Sequence, residues 1–332
     1  MKKANRASRW GIGVIGAASV LGLVAYRGWA APPEAIAASN VTPVGALSPV
    51  DVLVFAPHPD DEVLGCGGVV QQALAAGKAV RIVFSTQGDA YTQAAAALLR
   101  KGEESLGVED YLNLGKARAQ EALDADRALG VDADHVIFLG YPDGSFAQVA
   151  TNVSSIPVTS PFTGRSSTYG ALVPDYHTRA HGVSAPYVRA SAVADFSEVL
   201  QQSHPSVVYV TDRVDAHPDH RATNEMVQAA IAGTGYRGIV RTFLVHSAGR
   251  PEEWPFPAGP TPLLAMQEHT KGDTTYPANL PWPPNERVTI TNAQALIKLH
   301  ALTEHRSQWA LPSDKTLLGA FVKSEEIFWT GR

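Results

Sequence analysis

The sequence predicts an α/β domain built on a mostly parallel sheet with helices on both faces. Three observations carry this expectation. Short apolar strands alternate with segments of helical period. The 332 residues are 45% hydrophobic and only 18% charged, enough apolar material for a large buried core. Turns rich in His and Asp stand directly after the first and fourth expected strands, where such sheets open their ligand crevices.

The elements follow in order. DVLVFA (51–56) is an uninterrupted apolar run and reads as the first strand. A helical stretch over 62–76 ends at Gly77, and VRIVFST (80–86) is the second strand. Residues 89–130 hold helical material. It is clearest at KARAQEALDADRALG (116–130), where Ala and Leu recur at helical spacing. HVIFLG (135–140) is the third strand, and a polar loop with Pro and Gly covers 141–185. A helix over 187–202, a strand at SVVYVT (206–211), a helix over 220–233 and a strand at RTFLVHS (241–247) continue the alternation. Residues 250–286 are proline-rich with little periodicity, and the last helix is expected over 292–306. GCGG (65–68) is not a dinucleotide fingerprint. The sequence contains neither a GxxxxGK[ST] phosphate loop nor a GxSxG elbow.

The formal charge is −5, which leaves no basic surplus for phosphates and argues against nucleic-acid binding. Five of the 27 basic residues and none of the 32 acidic ones lie in residues 1–30, so the remainder carries −10. Within that basic start, residues 10–26 run without a charge and are followed by Arg27. A hydrocarbon core needs about 20 helical residues, with a lower limit of roughly 17. The expectation is a signal-anchor or signal peptide over 1–31, with cleavage conceivable after Ala30 or Ala37. A Pro/Ala/Ser-rich linker follows over 32–48, and a single catalytic domain over 49–332. The positive-inside bias then puts the domain outside the cytoplasm, membrane-anchored or secreted.

The single cysteine, Cys66, excludes an intrachain disulfide and a Cys-rich zinc ribbon. Any metal must therefore be held by His, Asp or Glu. HPDDE (58–62) follows the first strand and DAHPDH (215–220) the fourth. Two neighbouring Asp residues point in different directions, so one can bind a metal while the other faces the water on it. Of His217 and His220, one can bind metal while the other acts on the reacting group, with Asp219 as a neighbouring carboxylate. Two His and one Asp leave coordination positions open. That is a catalytic pattern for zinc, and one that also accommodates iron(II) or another divalent transition metal. Calcium or magnesium would use more carboxylates.

With these residues in place, the sequence resembles the PIG-L/LmbE-like family of zinc-dependent N-acetylglucosamine de-N-acetylases. The likeness covers most of 50–310 and is most specific at APHPDDE (56–62) and HPDH (217–220). It implies a Rossmann-like fold, with the metal held by His58, Asp61 and His220. It also implies Asp60 as general base, and His217 as oxyanion stabiliser with Asp219 behind it, the leaving amine taking its proton from either Asp60 or His217. Arg118, in the RxxE step ending at Glu121, would contact the sugar or its aglycone. Asp215 stands where some members carry tyrosine and is expected among the substrate-binding groups. GYPDG (140–144) and KLHALTEHRSQ (298–308), with His305 and Gln308, share the likeness. The long 145–190 loop holds His177, Arg179 and His181, expected either at the site or packed within the loop. The implied reaction is hydrolysis of an N-acetyl amide on a sugar or glycan, with release of acetate. Two alternatives are a hydrolase of another amide or ester, and a membrane-tethered glycan-binding module with an idle metal site. Such a module has no use for a base at Asp60.

Overall fold

Alternation of side chains along each central strand builds two cores, one on each face of a sheet. In β1 (Val52–Ala56), Val52, Val54 and Ala56 enter one core and Leu53 and Phe55 the other. The same alternation runs through β2 (Val80–Thr86), β3 (Val136–Tyr141) and β4 (Val207–Thr211). A strand buried on both faces reads as a continuous apolar run, which is why the sequence located these four within a residue or so.

The computed structural model describes residues 47–247, 254–257 and 263–330. The expected signal-anchor over 1–31 and the linker up to residue 46 lie outside the described residues. Leu47 and Ser48, the end of that linker, already bond to the domain through Gln202 and Arg81. Among the described residues, no helix is long and apolar enough to cross a membrane.

Between β1 and β2 lies α1 (Asp61–Ala75); α2 (Thr92–Leu99) and α3 (Val108–Leu129) lead to β3. The stretch expected as a loop after β3 contains two short helices, α4 (Phe146–Thr151) and α5 (Tyr176–His181). Then come α6 (Arg189–Ser203), β4, α7 (Pro218–Thr234) and β5 (Ile239–Phe243). A small antiparallel pair, β6 (His269–Lys271) and β7 (Thr274–Tyr276), precedes β8 (Glu286–Thr289). The chain ends with α8 (Asn292–Glu304), α9 (Arg306–Trp309), α10 (Pro312–Ala320) and β9 (Glu325–Thr330).

The main sheet has the order β3-β2-β1-β4-β5-β9-β8. Strands β1 to β5 are parallel; β9 runs antiparallel to β5, and β8 to β9. The two antiparallel strands escaped the sequence reading because β8 is short and half-exposed and β9 opens with two acids. The chain fills one half of the sheet from β1 to β3, then returns beside β1 with β4. A crevice opens at that switch point beyond the strand ends.

GCGG also finds its reason in this packing. A Cβ on Gly65 would lie 2.2 Å from the Phe243 ring, and one on Gly68 2.0 Å from Ile290 Cδ1. Glycine lets α1 approach this closely, and the contact is sealed by a buried ion pair. Lys298 donates to Glu326 at 2.6 Å and to the Leu64 carbonyl at 2.8 Å, while Glu326 accepts from the Gly68 and Val69 N–H groups. Cys66 is a buried member of the same core.

Candidate metal centre and active site

The loop after β1 places His58 and Asp60 at the crevice, with Asp61 opening α1 beside them, and the turn after β4 brings His220 to meet them from the first turn of α7. Three atoms converge. His220 Nε2 is 3.2 Å from His58 Nδ1 and 3.2 Å from Asp61 Oδ2, and His58 Nδ1 is 3.4 Å from Asp61 Oδ2. Zinc bound tetrahedrally at 2.0–2.1 Å from nitrogen and oxygen ligands spaces them by about 3.3 Å. The triangle therefore fits a divalent transition metal. His217 can join His58 and His220 in a second grouping, and Asp143 and Asp219 can join His58 in a third, both with ligand atoms within 4.8 Å of one another.

The nitrogens turned away from the triangle face carboxylates. His220 Nδ1 is 3.2 Å from Asp215 Oδ2, and His58 Nε2 is 3.1 Å from Asp143 Oδ1. A carboxylate behind each imidazole orients the ring and raises its basicity. Burial opposes the charged imidazoles, but these acids prevail: Asp215 and Asp61 hold His220 up to about 10, and Asp143 is the main group raising His58.

The adjacent carboxylates diverge. Burial raises both, but the His220 and His58 rings pull Asp61 well below the usual range. Asp60 stays raised, through burial and the neighbouring Asp61 charge. The two neighbouring acids thus sit in environments that push their acidities apart. Asp60 has φ 129°, a left-handed-side conformation that costs a non-glycine residue on the order of 1–3 kcal/mol. Its N–H donates to Glu62 at 3.0 Å, and its Oδ2 accepts from Gln308 Nε2 at 2.5 Å.

His217 caps α7, its Nδ1 accepting the Asp219 N–H at 3.3 Å. Burial and the His58 and His220 rings push it down to about 3, and with Nδ1 accepting, Nε2 is the ring nitrogen left to donate. The Asp219 carboxylate, expected behind His217, instead accepts from the Gly144 and Ala147 N–H groups at 2.7 and 3.1 Å.

A cavity of about 320 Å³ is lined by His58, Asp60, Asp61, Arg118, His217 and Gln308, with Tyr91, Phe162 and Leu317 among its apolar walls. Arg118, expected to contact the sugar or its aglycone, lines this cavity. Its guanidinium also props the site, donating to Pro59 O, Gly88 O and Gln308 Oε1 and lying 3.6 Å from Asp60. Asp215 departs from expectation: it is fully buried, and its oxygens take the N–H groups of His217, Val245 and His246 as well as facing His220. The geometry thus supports a holder of His220 rather than a group that meets substrate. His177, Arg179 and His181 do not line the cavity.

Sequence reasoning picked out GYPDG (140–144) without giving Asp143 a role and did not single out His246, although each follows a strand end. Strand-end position was the available signal. Asp314 and Leu317 come from α10, for which the sequence offered none. His305 is buried, with its Nε2 3.6 Å from Glu62.

A model of the family described as "PIG-L: GlcNAc-PI de-N-acetylase" matches residues 53–231, just over half of the chain. A 1D-myo-inositol 2-acetamido-2-deoxy-alpha-D-glucopyranoside deacetylase of Mycobacterium sp. (strain KMS) is 30% identical over 174 residues, 52% of this chain and 47% of that one. The chain therefore spans about half the length of the curated relatives it matches. The crystal structure of GalB, the 4-carboxy-2-hydroxymuconate hydratase of Pseudomonas putida KT2440, covers 85% of this chain and 96% of its own, with TM-score 0.51 and 15% identity. An N,N'-diacetylchitobiose deacetylase from Pyrococcus horikoshii covers 85% and 83%, with TM-score 0.49 and 21% identity. At such identity the hydratase likeness speaks for the fold alone.

Proposed function

The chain belongs to the PIG-L family, and from that premise we propose that it hydrolyses the N-acetyl amide of an N-acetylglucosamine-type sugar or glycan, releasing acetate. The observation that carries this reading is the triangle of His58 Nδ1, Asp61 Oδ2 and His220 Nε2, with the Asp60 carboxylate beside it in the cavity and outside the ligand set.

In this reading, His58, Asp61 and His220 hold zinc, or iron(II) in its place. The bound ion supplies a Lewis acid and lowers the pKa of water toward about 7. Asp60 takes the proton from the attacking water. Its Oδ2 is held by Gln308, and its raised pKa brings it nearer to that of a base working at neutral pH. His217, neutral with its proton on Nε2, donates to the oxygen that gains charge as the amide is attacked. Asp60 then returns its proton to the leaving amine as acetate departs. Arg118 keeps Asp60 and Gln308 in register and presents its edge to the sugar. A binding module would have no use for the strain stored at Asp60.

The basic start and apolar run over 10–26 support a signal-anchor or signal peptide and an extracytoplasmic site of action. Cell fractionation of the full chain and of a chain lacking residues 1–30 tests this. Equal recovery of both in the cytoplasm would refute it.

Asp60→Asn is the test of the reaction. It keeps an acceptor for Gln308 and removes the base. Acetate release from a panel of N-acetylated mono- and oligosaccharides should fall by about 10²–10⁴-fold, with bound metal unchanged by elemental analysis. Turnover at the parent rate would refute the base assignment. Undiminished metal in both His58→Ala and His220→Ala would refute the ligand set.

A further inference from the structure

A second cluster of imidazoles and carboxylates lies between α5 and α6, and the proposed reaction makes no use of it. His177 and His181 stand one turn apart on α5, their ring centroids 4.4 Å from each other. HxxxH spacing puts both rings on one helix face. Across from them, α6 presents Asp195 and Glu198. His177 Nδ1 is 2.6 Å from Asp195 Oδ1, and His181 Nε2 is 2.9 Å from Glu198 Oε2. One ligand atom from each of His177, His181 and Asp195 lies within 4.8 Å of the others.

The carboxylates are pre-oriented. Asp195 Oδ2 accepts from the buried Tyr141 hydroxyl at 2.6 Å, and Glu198 Oε1 accepts from Gln202 Nε2 at 2.9 Å. Such partners orient ligands for a metal. The two imidazoles are partly exposed, so an ion reaches them from solvent. Two imidazoles with one or two carboxylates, and no thiolate, suit zinc and its first-row neighbours; calcium and magnesium prefer all-oxygen sets.

We infer that His177, His181, Asp195 and Glu198 form a second binding site for a divalent transition metal of the zinc class, separate from the crevice between β1 and β4. An ion there ties α5, within the long connection after β3, to α6 of the main scaffold. That same connection carries Phe162 to the cavity wall. Without an ion the cluster is a pair of His–carboxylate contacts between two helices.

The test uses the full chain with His58→Ala and His220→Ala, which silences the crevice site whatever that site does. Equilibrium dialysis against micromolar zinc, followed by elemental analysis, should find one zinc per chain. Adding His177→Ala and His181→Ala should abolish it. Zinc should raise the melting temperature of the first variant and not of the second, because an ion that binds only the folded state stabilises it. Matching circular dichroism of the two variants in chelator shows that both fold. No zinc in the first variant, or equal zinc in both, overturns the inference. Displacement of the zinc by millimolar calcium overturns the assignment of metal class.

Discussion

Replacing Asp215 with Asn separates two roles for this residue. As a substrate group it would set KM; as the holder of His220 it sets metal affinity. Its Oδ1 accepts the His217 N–H at 2.9 Å, and its Oδ2 accepts the Val245 and His246 N–H groups, both at 3.0 Å, and faces His220 Nδ1 at 3.2 Å. In Asp215→Asn the amide oxygen keeps most of these partners by taking the Oδ2 position. The amide NH₂ then opposes the His217 N–H, so one buried donor loses its acceptor, a cost of ~1–3 kcal/mol in stability. The negative charge behind His220 is also lost. Removing such a partner lowers metal affinity by about 10–100-fold, or roughly 1.4–2.8 kcal/mol. Zinc affinity is read by competition with a chromophoric chelator, and KM by acetate release at saturating zinc. The expectation is the weakened zinc affinity with KM little changed. Unchanged zinc affinity together with a raised KM would refute the reasoning and return Asp215 to the substrate.

The remaining predictions concern stability. In Lys298→Met, the Glu326 carboxylate keeps only the Gly68 and Val69 N–H groups. Urea unfolding should show a loss of ~3–5 kcal/mol, and the double variant with Glu326→Gln should recover part of it; a loss below about 1 kcal/mol would mean the pair is not isolated from water. Gly68→Ala drives a methyl into Ile290 and should cost ~1–3 kcal/mol, less when combined with Ile290→Val. Equal costs in the two backgrounds would contradict that contact. Asp89, raised to about 7 by burial and the Asp143 charge, carries a proton in the folded state that the unfolded chain releases near pH 4. Its contribution to stability is therefore present below about pH 4 and lost as pH rises toward 7. Asp89→Asn should gain stability relative to the parent across that window, and a pH-independent difference would count against the shift.

Much of the site was legible because its chemistry is concentrated in two short motifs at strand ends. His58, Asp60, Asp61, His217 and His220 all come together at the crevice. What the motifs did not tell is what each carboxylate touches. Asp219 was expected behind His217 and instead holds the turn before α4. His177 and His181 were weighed as site residues but pair with α6, which no local pattern announces. The strands β8 and β9 were invisible because their partners are distant in sequence and their alternation is interrupted by charge.

The sequence by itself determined the alternation of strands and helices, the separation of a basic N-terminal segment from an acidic remainder, and the supply of His and Asp at strand ends. Those are local properties, written in periodicity and composition. Only the tertiary structure decided that β4 lies against β1, which brings His58 and His220 into contact across 162 residues. It also decided what each acid faces: Asp61 lies against His58 and His220, Asp60 against Gln308, and Asp215 behind His220. Their acidities depend on burial and on the charges packed around each carboxylate, and both arise only when distant segments share one crevice.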